Sequence, residues 1–463
     1  MHRSRRASLA SFRLFSHCLP QMVKAATWVA FAAILSLGGG TASAETLPPP
    51  AGETRATWAQ DLAAAQKRHY EWLHSHPELS GSEQKTSEYL AREVKKLGFS
   101  VRSQVAGHGF VATLKNGPGK TLFLRTELDA LPVREQTGLS YASKKSASAA
   151  GGSMTPVMHA CGHDLHMAAW LGAASFFSSH RDLWQGTLVL LAQPAEETLK
   201  GARALVESGI LSSLPPPNLV FAIHAHDQLP VGTVGFTPGP FAASADSVTV
   251  TLYGKGGHGA YPETSVDPIV MAAEFVLSLQ SIVSREVSPL ESAVVTVGSI
   301  HGGAKNNVIP DEVRLELTVR TFQEKTRETV LAAIERRARA VAQSKSAPRA
   351  PRVEAHRDVA AAVNEPELTR RLAKRLTERL GGFEISELPP EMGSEDFAEY
   401  SRAHLPTVML MVGTAAPSAV AKARAGGPSL DPLHSSTYKP EMPGALEAAI
   451  AVHIEVGLEI LGR

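Results

Sequence analysis

Thr121-Leu122-Phe123-Leu124-Arg125 is a short, almost unbroken apolar run, which is how a strand buried on both faces of a sheet reads. Three other stretches share that character: 187–193 (TLVLLAQ), 218–223 (NLVFAI) and 407–412 (TVMLMV). Helical patterns lie among them, at 58–74, 83–97, 164–177, 365–380 and 443–461. The expectation is an α/β fold with a helix-covered, mainly parallel sheet. Ligands of such sheets bind beyond the carboxyl ends of the strands. There the chain places Glu127 and Asp129 after the first run, Pro194-Ala195-Glu196-Glu197 after the second and His224 and His226 after the third. His434, in Pro432-Leu433-His434-Ser435, follows the fourth.

Val157-Met158-His159-Ala160-Cys161-Gly162-His163-Asp164 opens the helix before the second run. A thiolate and an imidazole two residues apart suit a borderline-soft divalent ion, and Gly162 lets the backbone turn so that both face one centre. Alone, the pair reads equally well as a buried thiol beside a satisfied histidine. Cys, His, Glu and His delivered to one rim by independent runs tip the balance to a metal site. His74-Ser75-His76-Pro77 has no ligand spacing around it and reads as structural.

The middle of the chain alternates instead of running apolar. Strands at 247–253, 293–298, 313–320 and 352–356 with helices at 267–283 and 325–344 give the order βαββαβ, a ferredoxin-like unit with helices on one sheet face. Residues 246–358 are therefore expected to form a domain inserted between 45–245 and 359–463, with a hinge near Ala245 and Val359 and a free sheet edge for pairing with a second copy.

At 463 residues, with 43% hydrophobic and 20% charged residues, the chain has the composition of a soluble protein of more than one domain. A formal charge of +1 argues against a nucleic-acid partner. Arg3, Arg5, Arg6, Arg13 and Lys24, the apolar stretch 25–37 and Ala42-Ser43-Ala44 predict a secretory signal peptide over residues 1–44, with Met22 as an alternative start. The stretch is shorter than the ~20 residues of a membrane span, so the mature protein is expected to be periplasmic or secreted, without a stable membrane span. Cleavage removes Cys18, leaving Cys161 without a partner for an internal disulfide.

Several segments, in order, resemble motifs of the M20 metallopeptidase family, in its amidohydrolase branch: 74–80 (HSHPELS), 127–132 (ELDALP), 158–164 (MHACGHD), 193–197 (QPAEE), 254–258 (GKGGH), 307–311 (NVIPD), 393–397 (GSEDF) and Leu433-His434. The resemblance covers nearly all of the mature chain. It implies that Cys161, His163, Glu197, His224 and His434 hold two divalent metal ions, Zn or Mn foremost with Co and Ni open, and that Glu196 is the general base. It also implies substrate contacts from His258, Asn307 and Arg320, and a homodimer or larger homo-oligomer. The sequence departs from the pattern at Glu127, where relatives more often show Asp, at Glu263, and in a longer loop at 143–153.

On physical grounds a ligand Glu197 beside a base Glu196 divides the work of amide hydrolysis, and on a regular strand the two would face opposite ways, so an irregular turn is expected. Each proposed contact also has a structural reading: Glu196 as orienter of a ligand, His258 and Asn307 as turn residues, Arg320 as a solvated strand end. The resemblance to the amidohydrolase branch implies metal-dependent hydrolysis of N-acyl or N-aroyl amino acids. Short-peptide hydrolysis by the same site and a non-catalytic periplasmic binding protein are the alternatives.

Overall fold

The computed structural model describes residues 55–148 and 152–463. The expected leader, with its alternative start, and part of the 143–153 loop lie outside the described residues. The described residues belong to one compact unit.

The larger sheet has eight strands, and its centre is the parallel set Gly186–Gln193, Thr121–Glu127, Leu219–Pro230 and Thr407–Ala415, in that spatial order. Alternate residues of these strands serve two cores. Leu122, Leu124, Leu188, Leu190, Phe221 and Leu410 face one, and Phe123, Val189, Leu191, Val220, Ala222 and Met409 the other. Helices His163–Ser179 and Gly444–Leu461 cover the first face and are buried almost all round, as their nearly uniform apolar sequences require. The flanks were not legible in the sequence. Ser100–Val105 and Gly109–Asn116 add an antiparallel hairpin at one edge, and Thr233–Phe236 and Glu384–Glu387 extend the other.

From Thr121–Glu127 the chain passes to Gly186–Gln193 on one side and then to Leu219–Pro230 on the other, so the strand order reverses at the first strand. Pairing between Thr121–Glu127 and Leu219–Pro230 stops at Leu124 and Phe221, and the sheet opens there into a crevice, the usual ligand position in this architecture. The strand Leu219–Pro230 nonetheless runs on, held by Thr407–Ala415. His224 and His226 therefore lie inside that strand, a correction to the expectation that they follow it.

The inserted segment forms a four-stranded antiparallel sheet in the order Ala293–His301, Glu312–Thr321, Ala245–Tyr253, Arg352–Val359, with helices Pro268–Arg285 and Glu324–Ser344 packed on it over a separate core. Asp267 caps the first helix by accepting from the Ile269 N–H, with Pro268 at its first position. That helix is long and apolar enough to cross a bilayer, but it seats Met271, Phe275, Leu279 and Ile282 on the sheet. Where the chain crosses between units, Arg327 grips Asp246 at 2.7–3.0 Å and the Val359 carbonyl at 3.2 Å, while Arg203 donates to the Asp358 carbonyl at 2.7 Å.

Candidate metal centre

Cys161 and His163 enter the crevice from the start of helix His163–Ser179. Gly162 turns the chain with φ of 80°, and a Cβ there would lie 3.0 Å from that of Ala225, so glycine is required twice over. His163 Nδ1–H donates to the Asp129 carbonyl at 2.8 Å, and His224 Nδ1–H to the Ala225 carbonyl at 2.8 Å. Both rings therefore turn Nε2 inward, where it can face a cation. His224 Nε2 lies 3.6 Å from Cys161 Sγ, and His434 Nε2 lies 3.2 Å from the same sulfur and 3.6 Å from Glu197 Oε2. His434 reaches this point with φ of 65°, its loop tied by its own N–H to the Ala160 carbonyl and by the Leu433 N–H to Asp227.

The turn after Gly186–Gln193 is irregular, as the adjacent carboxylates demand. Ala195 has φ of 55°, and its N–H is held by buried Glu83 at 2.9 Å. The Glu197 N–H donates to Asp129 Oδ2 at 3.0 Å, which also accepts from Ser80 at 2.6 Å. Gly201 closes the turn where a Cβ would fall 1.5 Å from the Pro194 carbonyl oxygen. Glu196 and Glu197 thus both face His163, whose Nε2 lies 3.8 Å from Glu196 Oε2 and 3.9 Å from Glu197 Oε1.

Behind the turn sits a charge cluster whose significance the sequence did not reveal. Arg125 is fully buried; its Nη2 donates to Glu395 and Asp396 at 2.9 Å each, its Nε to Gln193 at 2.9 Å, and its Nη1 bonds Glu127. Glu395, Asp396 and Glu196 bring carboxylate oxygens within 4.8 Å of one another. Glu127 turns away from the crevice, its other oxygen accepting from His166 at 3.0 Å. The departure noted at Glu127 therefore lies in the support of the site.

A cavity of about 400 Å³ opens beside Cys161, Glu196, Glu197, His224 and His434. Arg320 lines it from the inserted unit and donates to Ser394 across the gap, while Phe241, Met409 and Met411 make it apolar on one side. His258 and Asn307 are not brought there. They adjoin each other on the exposed ladder of Gly257–His258 with Val308–Ile309, where the Gly259 N–H bonds the Asn307 carbonyl at 2.9 Å.

The residues fit a cation. Among the described residues, Asp129 Oδ1, His163 Nε2 and Glu197 Oε1 are buried without a hydrogen-bond partner. Donor atoms of Cys161, His163 and His224 lie within 4.8 Å of one another, as do those of Cys161, Glu197 and His434. Burial, with Glu197 beside it, pushes the Cys161 thiol up. Burial also pushes Glu197 up to about 7, and Glu196 well above the usual carboxylate range with Glu395, Glu197 and Asp396 adding to it. A positive ion is the one neighbour that reverses all three shifts.

The model of the peptidase family M20/M25/M40 matches residues 123–424. The chain belongs to that family. An M20 relative, the N-acetyl-L-cysteine deacetylase of Bacillus subtilis, is 42% identical over 259 residues, 56% of this chain and 59% of its own length, so the match spans about three-fifths of that relative. The IAA-amino acid hydrolase ILR1-like 2 of Arabidopsis thaliana is 36% identical over 71% of this chain and 72% of its own. The solved Bacillus subtilis YXEP protein, described as a dinuclear metal binding peptidase from M20 family, superposes with a TM-score of 0.72 at 28% identity, covering 87% of this chain and 99% of that one.

His74 of this M20 chain is structural, but not passively so. It is buried between Asp164 at 2.7 Å and Glu135 at 2.9 Å, and although burial opposes its charge, the two carboxylates push it up to about 10. A raised imidazolium stabilises fully below the unfolded value of 6.5, and that stability is lost as the pH rises through the folded value. Urea denaturation should therefore show a gap between wild type and His74→Gln on the order of 3 kcal/mol near pH 6, closing by about pH 10.

Proposed function

We propose that this M20 protein is a metal-dependent amidohydrolase that cleaves N-acyl amino acids. The observation that carries the reading is the convergence of Cys161, Glu197, His224 and His434 on one cavity wall with His163 buried behind them, and of a second carboxylate, Glu196, that neither donor triad around Cys161 includes although it adjoins His163 and Glu197. The mixed sulfur, nitrogen and oxygen donor set suits Zn, and Mn, Co or Ni are alternatives. Cys161, His163, Glu197, His224 and His434 would hold two divalent ions, which would supply Lewis acidity for amide hydrolysis.

The chain does the rest. Glu196 takes the proton of the attacking water and delivers it to the departing nitrogen, which leaves as an amine while the acyl carbon becomes a carboxylate. Glu197 stays ionised and holds its place in the ligand set. Arg320, bonded to Ser394 across the cavity, offers a guanidinium to the carboxylate of the amino-acid half. His258 and Asn307, outside the cavity lining, would join the substrate by movement of the inserted unit about its crossings at 245 and 359.

The test is release of free amino acid from N-acetyl, N-benzoyl and dipeptide substrates before and after chelation. Cleavage of the acyl amino acids that stops on chelation and returns with Zn or Mn is expected. If dipeptides alone are cut, the protein is a peptidase; if nothing is cut by metal-loaded protein, the enzymatic reading fails.

We further propose a homodimer through the inserted unit. Strand Ala293–His301 is an open edge, and Ile269, Val270, Leu277 and Ile300 beside it are exposed, Leu277 by 73%. Sedimentation velocity should show a dimer that Leu277→Asp converts to monomer; a monomeric wild type would overturn it. Export by the 1–44 leader is likewise a proposal, supported by its charge and hydropathy pattern and tested by N-terminal sequencing of the protein recovered from the periplasm.

A further inference from the structure

His166 is buried behind the crevice and has no part in the chemistry above. Its two bonds fix its tautomer. The Ala225 N–H donates to His166 Nε2 at 2.8 Å, so that nitrogen carries a lone pair, and the proton sits on Nδ1, which donates to Glu127 Oε2 at 3.0 Å. Glu127 is in turn held by Arg125.

The reason for this arrangement lies in the sheet. Strand Leu219–Pro230 loses its neighbour Thr121–Glu127 after Phe221, so the Ala225 N–H has no ladder partner on that side. A side chain has taken the place of a strand. His224 leans on the other side of the same residue, its Nδ1–H donating to the Ala225 carbonyl at 2.8 Å. The rings of His166 and His224 also meet directly, with centroids 4.9 Å apart at 62°.

We propose that His166 is a positioning residue: by pinning the peptide that joins His224 to Ala225 it fixes the backbone of both residues, and with it the carbonyl that orients the ring of His224 and its Nε2. The inference rests on the reading of His224 as a metal ligand. Without the pin, the opened strand edge can shift and the ring can rotate away from Cys161.

The test uses the full chain and Co(II), whose thiolate charge-transfer absorption reports Cys161 and its surroundings. His166→Leu removes both bonds, and His166→Asn is too short to span both partners. His166→Gln can still accept from Ala225 and donate to Glu127. Chelator competition should show His166→Leu and His166→Asn binding Co(II) about 10–100-fold more weakly, with an altered charge-transfer band, while His166→Gln stays near wild type. Melting of the metal-free proteins separates this from a general loss of packing, which would lower all three melting points and leave affinity alone.

Wild-type affinity and band in folded His166→Leu or His166→Asn, with His224→Ala impaired, would overturn the proposal and spare the ligand reading. Equal loss in all three His166 variants would overturn it too, since the bonds retained by glutamine would then be irrelevant. Unchanged Co(II) binding in His224→Ala would overturn the ligand reading of His224, and the proposal with it.

Discussion

Glu196→Gln is expected to lower kcat about 10³-fold while KM and metal content stay near wild type. Glutamine has the shape of glutamate but cannot take a proton, so the substitution removes the base and little else. The carboxyl is buried among Glu197, Glu395 and Asp396, and these acids favour its proton-accepting role once cations are near. Steady-state kinetics with an N-acyl amino acid, paired with metal analysis of the same samples, reads both quantities. A fall in bound metal parallel to the fall in kcat would make Glu196 a ligand and defeat its assignment as base.

Arg125→Met should cost about 3–5 kcal/mol, because it leaves buried carboxylates without their counter-charge. Glu127, Glu395 and Asp396 all bond the one guanidinium, and Arg125 itself has no exposure to solvent that would screen the loss. Burial pushes Asp396 up, with Arg125 the main force against it, so the variant should also take up protons on losing the guanidinium. A shift of the urea midpoint checks the stability. A second variant, Arg125→Lys, keeps the charge but not the fork of donors, and should recover part of the loss. No change in either variant would show that the carboxylates are held by other means.

The central sheet was legible because strands buried on both faces read as nearly continuous apolar runs, as 121–125, 187–193 and 407–412 do apart from their ends. The inserted unit was legible for the opposite reason: a sheet with helices on one face alternates, and Glu312–Thr321 does so residue by residue. The ligand set was reached by a rule about strand ends, yet His224 obeys it only in part. Its strand continues past the crevice because one neighbour leaves and the other stays.

Other features had no local signature. Arg125 bonds residues 270 and 271 positions away, and at the end of a strand an arginine looks the same whether it is solvated or sealed. Glu395 and Asp396 lay in a motif quoted without a role. Edge strands such as Ser100–Val105 are mostly exposed and carry little pattern. His258 and Asn307 do adjoin each other, as their ladder shows, but their distance from the cavity depends on how one unit stands against the other, which periodicity does not encode.

The spacing of the donors along the chain sets a timetable. Cys161, His163, Glu197 and His224 precede the inserted unit, whereas His434 follows it, and its bond to Cys161 joins residues 273 positions apart. The guanidinium of Arg125 likewise waits for Glu395 and Asp396, which are also made late. A ribosome-bound chain that has emerged only through the inserted unit lacks one of the five donors, and its Arg125 has Glu127 but neither Glu395 nor Asp396. Contacts so distant in sequence form slowly, after the loop between them has closed. The five-donor set proposed for the metals is therefore complete only when the segment carrying His434 docks, in whichever compartment the chain then occupies.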